Sequence, residues 1–263
     1  MEDLSNYNPE GSPLRRMQKR MLEMLEIFDS LCKKHDIPYW ISDGTLLGAY
    51  RHGGFIPWDD DIDIQMLQKD CKRLFQILSS ELPSNLKVQS SETDSNYWYT
   101  FFKIRDLDSI INEPNTEKFN YKYRGIFIDI LPVEPTISLL LKKGADILRS
   151  RFKTRKHKPK EKLINILAYC LYPLYFCFLG VNRLYIRCFN PEAYTYNLGT
   201  PFYHIYHKKD IFPLKRITFE GKEFNSPKNV ENILTCTFGA DYMKIPPADK
   251  RITHIDNVVF MDK

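Results

Sequence analysis

Four aspartates lie within five positions of the segment PWDDDIDI, residues 57–64. If this segment is a β-strand, its side chains alternate between two faces, so Asp59, Asp61 and Asp63 share one face. Asp60 then points away with the isoleucines. Carboxylates this close repel one another and raise each other's pKa unless a cation neutralises them. Because grouped hard oxygen ligands suit Mg²⁺ or Mn²⁺, the segment predicts a divalent-metal site.

Two other interpretations of the acidic segment fit its residues less well. In a calcium loop of the EF-hand type that begins at Asp59, Ile64 and Asp70 would stand where glycine and glutamate are required. A merely solvated acidic turn is disfavoured by Trp58 and Ile62, which are expected to tie the segment into a core.

A glycine-rich segment precedes the acids. It reads SDGTLLGAYRHGGF over residues 42–55 and holds glycines at positions 44, 48, 53 and 54. Glycines let the backbone approach a ligand closely, and exposed amides there could hold a phosphate. Together with the acids, this segment predicts a phosphate cradle that faces a metal site.

The elements that must position these residues follow from periodicity and caps. Ser12 and Pro13 open an amphipathic helix that ends near His35. A strand over 39–42, a turn at Asp43 and Gly44, a helical turn over 45–50 and a strand that ends in the acids are expected next. Later elements are a helix over 68–82, strands over 98–104, 109–112 and 126–131, and a largely helical stretch over 137–189. In the tail, a hairpin over 219–224 has its turn at Gly221, and a helix capped by Ser226-Pro227 stops at Gly239. This order predicts an α+β domain around a mixed sheet.

The charge of the 263-residue chain is +5, and the basic excess is local. Residues 149–162 hold eight Lys or Arg against one Glu. An anionic surface and a solvated helix face are both compatible with this run. The six cysteines form no C-x-x-C pair and are expected to be reduced and mostly buried.

An uncharged stretch follows at residues 163–182, LINILAYCLYPLYFCFLGVN. Its length nearly suits a membrane span, but its apolar residues recur at helical spacing, and Pro173 should kink it. A membrane span, a helix on a membrane surface and a buried helix remain open. The N-terminus lacks the apolar stretch of a secretory signal, so a cytoplasmic location is expected, with peripheral contact at the inner face of the membrane as an option.

The segment GTLLGAYRHGGFIPWDDDIDI resembles the signature of the LicD family, phosphocholine-type transferases in the nucleotidyltransferase superfamily that are related to the fukutin group. Similar pieces follow: FKIRD at 102–106, GIFIDILPV at 125–133, and FPLKRITFEGKEFNSPKN and FGADYMKIPP in the tail. The resemblance spans residues 40–247, but 137–190 match only in being basic and apolar.

By position, the resemblance implies that Asp61 and Asp63 are metal ligands and that Asp59 is a partner ligand or base. Asp129, in GIFIDI, would be a further ligand or catalytic carboxylate that arrives from a neighbouring strand. The isoleucines that alternate with Asp129 favour a side chain aimed into the site.

Several residues are candidates for contact with the donor's phosphates. Lys103 and Arg105 alternate with apolar neighbours, so both cations lie on one side of a strand and could neutralise a pyrophosphate, although surface salt bridging is a rival explanation. The remaining candidates lie in the signature: Gly44, Thr45, Arg51 and His52.

The resemblance thus implies a nucleotidyltransferase-like catalytic core at 1–136, a basic and apolar helical insertion at 137–190, and a C-terminal part of the same unit at 191–263. The expected reaction moves phosphocholine, or a similar phospho-alcohol, from a CDP-choline-like donor to a hydroxyl of a cell-surface glycan, such as lipopolysaccharide or teichoic acid, or its lipid-linked precursor. Mg²⁺ or Mn²⁺ is the expected cofactor, residues 149–182 are a candidate membrane contact, and nucleic acid is not an expected partner. A D-x-D glycosyltransferase and a catalytically silent, membrane-associated assembly factor are the alternatives.

Overall fold

The computed structural model describes residues 4, 6–112, 119–136, 138–153, 170, 173, 177, 180–189, 191–251, 253, 255 and 257–261. The helices are α1 (Pro13–Lys34), α2 (Asp43–His52), α3 (Cys71–Glu81), α4 (Leu139–Lys153), α5 (Lys208–Ile211) and α6 (Val230–Phe238). The strands are β1 (Tyr39–Ile41), β2 (Asp63–Leu67), β3 (Leu86–Gln89), β4 (Phe102–Asp106), β5 (Ser109–Asn112), β6 (Phe127–Pro135), β7 (Ala193–Tyr196), β8 (Tyr206–His207), β9 (Lys215–Phe219), β10 (Lys222–Ser226) and β11 (Asn257–Phe260).

The described strands form one mixed sheet of seven strands and two small sheets, which confirms the α+β class. The main sheet runs β1-β2-β6-β4-β3, and β7 joins β6 to β8. The central strands β2 and β6 are parallel, whereas β4 lies antiparallel to β6. The hairpin β9-β10 and the pair β5-β11 make the small sheets.

Helix α1 covers one face of the sheet. Its start is fixed by Ser12, whose side chain accepts from the Arg15 amide, and by Pro13 in the first turn. Its buried stripe recurs every three or four residues and includes Met17, Met21, Met24, Leu25, Phe28 and Cys32. The predicted boundaries of this helix are confirmed.

The segment after β1 differs from its prediction. Asp43 and Gly44 do not form a separate turn, because α2 already begins at Asp43. Asp43 has a φ of +44°, a left-handed conformation that Asp tolerates better than most residues. The Ser42 amide donates to Asp63 O, which ties this helix start to the first residue of β2.

The tail packs on the same domain. The hairpin with its turn at Gly221 is confirmed, as is the end of α6 before Gly239. The expected cap of that helix is wrong, because Asn229, not Ser226, accepts the amide hydrogen bond from Asn232. Four strands were not predicted: β3, β7, β8 and β11.

The helical prediction for the middle of the chain is confirmed where residues are described, in α4 and over 180–189. Much of 163–182 lies outside the described residues, so the three alternatives for that stretch stay predictions. No helix in the part of the chain that the structure describes is long and apolar enough to cross a bilayer. The cysteine prediction is wrong for burial: Cys32 and Cys71 are buried, but the other four are exposed.

Candidate active site

The two parallel central strands bring two predicted acids side by side. Asp63, the first residue of β2, is in register with Asp129 of β6. On the other flank, Asp129 is in register with Lys103 of β4. Residues in register on neighbouring strands point to the same face, so one face of the sheet presents these three side chains together.

The acidic segment is a loop rather than a strand up to Ile62, because β2 begins only at Asp63. The predicted alternation is nevertheless visible in burial: Asp59 and Asp61 are partly exposed, whereas Asp60 is buried at 1% exposure. Main-chain contacts hold the loop in place. Gln18 Nε2 donates to Asp59 O at 2.9 Å.

Asp60 ties the loop to the C-terminal tail. Its Oδ2 accepts the Ile255 amide at 2.6 Å, and Thr253 Oγ1 donates to Trp58 O at 3.1 Å. Asp60 therefore fixes the loop through its own hydrogen bond, while its neighbours stand beside the sheet.

The carboxylates of the loop converge. One oxygen from each of Asp59, Asp60 and Asp61 lies within 4.8 Å of the others. Asp59 Oδ2 is buried and accepts no hydrogen bond from a described residue. Burial first, and the neighbouring carboxylates second, raise the pKa of Asp59 and of Asp63 well above the ordinary value. No salt bridge joins Asp59 or Asp63 to a cation among the described residues.

A further carboxylate, Asp43, was not among the predicted site residues. Tyr196 Oη donates to both of its oxygens, at 2.6 and 2.7 Å, and the charge of Asp43 adds to the rise in the pKa of Asp63. Burial raises the pKa of Asp43 itself. The only sequence signal was its place at the head of the glycine-rich signature, where Asp-Gly reads as a turn.

Gly44 and Thr45 lie at the acids. A Cβ on Gly44 would come within 2.9 Å of Asp59 Oδ2, so the missing side chain leaves room for that carboxylate. Thr45 Oγ1 accepts the Asp63 amide at 2.8 Å and thereby fixes the start of β2.

The two candidate cations of β4 have different surroundings. Lys103 Nζ lies 2.7 Å from Asp129 Oδ1 and 3.3 Å from the ring centre of Phe127, so it belongs to the site. Arg105 is only 1% exposed and donates to Gln89 Oε1 and Gly125 O. The structure thus holds Arg105 in the interior through Gln89 and a main-chain carbonyl.

Arg51 and His52 lie at the end of α2. Arg51 Nη1 donates to Tyr242 O and Lys244 O, and its Nε donates to His52 Nε2 at 2.9 Å. Burial, and then the Arg51 charge, lower the pKa of His52 to about 4. His52 is therefore neutral at pH 7, and its acceptor nitrogen is already occupied.

A mixed sheet with acids on two adjacent central strands, facing an acidic loop and a short helix that starts with Asp-Gly-Thr, defines a protein of the nucleotidyltransferase type. Residues 36–163 match the LicD/FKTN/FKRP nucleotidyltransferase domain, so this part of the chain carries a LicD-type domain.

Several named proteins are also similar to this chain, and they differ in the share of the chain that the similarity covers. The chain is 28% identical to the lipopolysaccharide cholinephosphotransferase LicD of Haemophilus influenzae, over 92% of this chain and 95% of that protein. It is 38% identical to the mouse ribitol-5-phosphate transferase FKTN over 34% of this chain and 20% of the relative. For the human ribitol 5-phosphate transferase FKRP the identity is 32% over 28% of this chain and 15% of the relative.

Proposed function

We propose that this protein is a LicD-type phosphotransferase that moves phosphocholine, or a similar phospho-alcohol, from a CDP-linked donor to a hydroxyl of a cell-surface glycan or its lipid-linked precursor. The observation that carries the proposal is the convergence of carboxylates from the acidic loop, β2 and β6 on one face of the sheet. The near full-length similarity to a cholinephosphotransferase supports the choice of phosphocholine.

The residues present fit a divalent cation, Mg²⁺ or Mn²⁺. The buried, unbonded Asp59 Oδ2 and the raised pKa of Asp59 and Asp63 reflect negative charge that the described residues do not neutralise. Asp61, Asp63 and Asp129 are the proposed ligands. When bound, such a cation supplies positive charge to the phosphate oxygens of the donor.

In the proposed reaction the acceptor hydroxyl oxygen attacks the phosphorus that carries the choline. A new P–O bond forms, the P–O bond to CMP breaks, and CMP leaves with the bonding electrons. Asp59 or Asp129 accepts the hydroxyl proton. Lys103 keeps a cation next to the transferred phosphate.

We further propose that the protein works at the cytoplasmic face of a membrane, with residues 149–182 as the contact. Exposed apolar side chains lie at the end of that segment, at Val181, and beyond it, at Leu184 and Phe189, and they alternate with the exposed Arg183 and Arg187. This combination is typical of helices that rest on an anionic surface.

The test is a donor screen with purified protein, Mg²⁺, a host glycan extract and CDP-choline, CDP-ethanolamine or CDP-ribitol, read as CMP release and a new phosphodiester. Asp61→Ala and Asp63→Ala should abolish transfer, while Asp241→Ala, at an exposed acid, should not. A nucleoside diphosphate and a glycoside as products would instead identify a glycosyltransferase.

A further inference from the structure

A cleft of about 530 Å³ opens between α3 and residues 90–102, a volume typical of ligand sites. It lies next to the acids. Lys103 Nζ is 2.7 Å from Asp129 Oδ1 and 5.7 Å from the ring centre of Phe101, and that ring lines the cleft. Phe101 therefore contacts both the cleft and the cation that pairs with Asp129.

The lining of the cleft combines three kinds of side chain. Aromatic rings come from Phe75, Tyr99 and Phe101. Hydroxyl and amide groups come from Ser90, Ser91, Thr100, Gln68 and Gln76, and the charged residues are Lys72, Glu92 and Arg149. Sugar rings have apolar C–H faces and a rim of hydroxyls, so they match flat rings that are bordered by hydrogen-bonding groups.

The position of the cleft relative to the donor segment also favours an acceptor. The glycine-containing helix α2 follows β1 at one edge of the β1-β2-β6-β4-β3 order, while the cleft lies at the β4-β3 edge. The acids of β2 and β6 stand between them. In-line transfer requires the attacking and leaving oxygens on opposite sides of the phosphorus, so the acceptor is expected on the side away from the donor segment.

We propose that this cleft binds the glycan acceptor, with a sugar ring against Tyr99 and Phe101 and acidic groups of the glycan near Lys72 and Arg149. This inference rests on the proposed function, since it names the substrate that occupies the second half of the same site. A nucleotide is the alternative occupant, and competition by CMP tests for it.

Trp98 offers a direct binding readout. It stacks on Tyr99 with 4.0 Å between ring centres and is 39% exposed, whereas Trp40 and Trp58 are buried. Titration with deacylated lipopolysaccharide oligosaccharide from Haemophilus influenzae, or with deacylated surface glycan from the protein's own host, should change the tryptophan emission. Trp98→Phe should remove this signal, and CMP should neither produce it nor compete.

The matched variants are Tyr99→Leu and Tyr185→Leu. Both tyrosines stack on a neighbouring ring, but Tyr185 lies outside the cleft. Tyr99→Leu should weaken oligosaccharide binding and raise the acceptor KM by about five- to tenfold, with an unchanged donor KM. Tyr185→Leu should match the wild type in both measurements.

Three results would overturn the cleft assignment: no binding of either glycan, competition by CMP, or a donor KM that rises in Tyr99→Leu while the acceptor KM does not. Failure of the proposed function is recognised separately. A protein that binds oligosaccharide in the cleft but never releases CMP from a CDP-alcohol in its presence would retain the glycan site and lose the phosphotransfer.

Discussion

Two acidic regions of this protein differ in how their charge is balanced. Asp106, at the end of β4, is 1% exposed and accepts from Arg20 Nε, Arg20 Nη2 and Ser109 Oγ. Asp63, at the start of β2, has carboxylates as its neighbours and no salt bridge to a described cation. Asp106 is neutralised by the chain itself, whereas the Asp63 region retains negative charge for a ligand from outside. Asp106 therefore helps to hold the fold together, whereas Asp59 and Asp63 mark the site.

Asp63→Asn should give the largest effect on activity. The change removes one charge at constant shape, so transfer should fall on the order of 10³-fold. Because a repelling buried charge is also lost, the free energy of unfolding in cation-free buffer should not decrease. Steady-state transfer and urea denaturation measure the two quantities. If the variant loses its fold or keeps near-normal transfer, Asp63 does not differ from Asp106 in serving the reaction rather than stability.

Asp106→Asn should show the opposite pattern. The change removes the charge that pairs with Arg20, which keeps only its bond to the exposed Glu23, so the free energy of unfolding should fall by about 2 kcal/mol. The folded fraction should retain its kcat when assayed well below its Tm. An activity loss with unchanged stability would mean that Asp106 acts in the reaction.

Tyr196→Phe should have a smaller effect, because it removes only the hydroxyl, which donates to Asp43 and lies 3.2 Å from Tyr206 Oη. Transfer should fall by about tenfold, since a hydrogen bond to a charged group contributes roughly 1.5–3 kcal/mol. Tyr194→Phe, at another buried tyrosine of β7, is the matched control and should retain wild-type kcat. Equal effects of Tyr196→Phe and Tyr194→Phe would mean that Asp43 does not take part in the site.

The smallest effect is expected at His52, through pH. Its pKa is lowered from 6.5 to about 4, so the folded state binds fewer protons than the unfolded state between these values. Stability from the neutral imidazole is therefore complete above pH 6.5 and is lost as the pH falls towards 4. His52→Gln should flatten this acid limb in denaturation curves at pH 4 to 7. If the loss of stability at acid pH is unchanged in His52→Gln, the imidazole of His52 is not held neutral by partial burial.

Local patterns were sufficient for part of this structure. The cap at Ser12, the hairpin turn at Gly221 and the acids of the DDDID segment could all be predicted, because caps, turns and like-charge clusters depend on neighbouring residues. Asp129 could be placed on a strand beside the acids through its alternating isoleucines and the family resemblance.

Contacts between distant residues could not be predicted. The bonds of Asp43 to Tyr196 join positions 153 residues apart, and β11 pairs with β5 across most of the chain. The interior position of Arg105 depends on Gln89, in a strand that the periodicity did not reveal. Alternation assigned Arg105 and Lys103 to one face of the sheet. It could not show that Gln89 and a main-chain carbonyl hold the Arg105 guanidinium, while the Lys103 ammonium reaches an acid.

Equilibrium binding of Mn²⁺, followed by electron paramagnetic resonance, tests whether the unbalanced negative charge of the acids around Asp63 holds a divalent cation. Wild-type protein and the surface variant Asp241→Ala should bind Mn²⁺ and release it to Mg²⁺, while Asp63→Asn should lose this binding. Equal Mn²⁺ affinity in wild type and Asp63→Asn, or no binding by the wild type, would mean that Asp63 and its neighbours do not form a divalent-cation site.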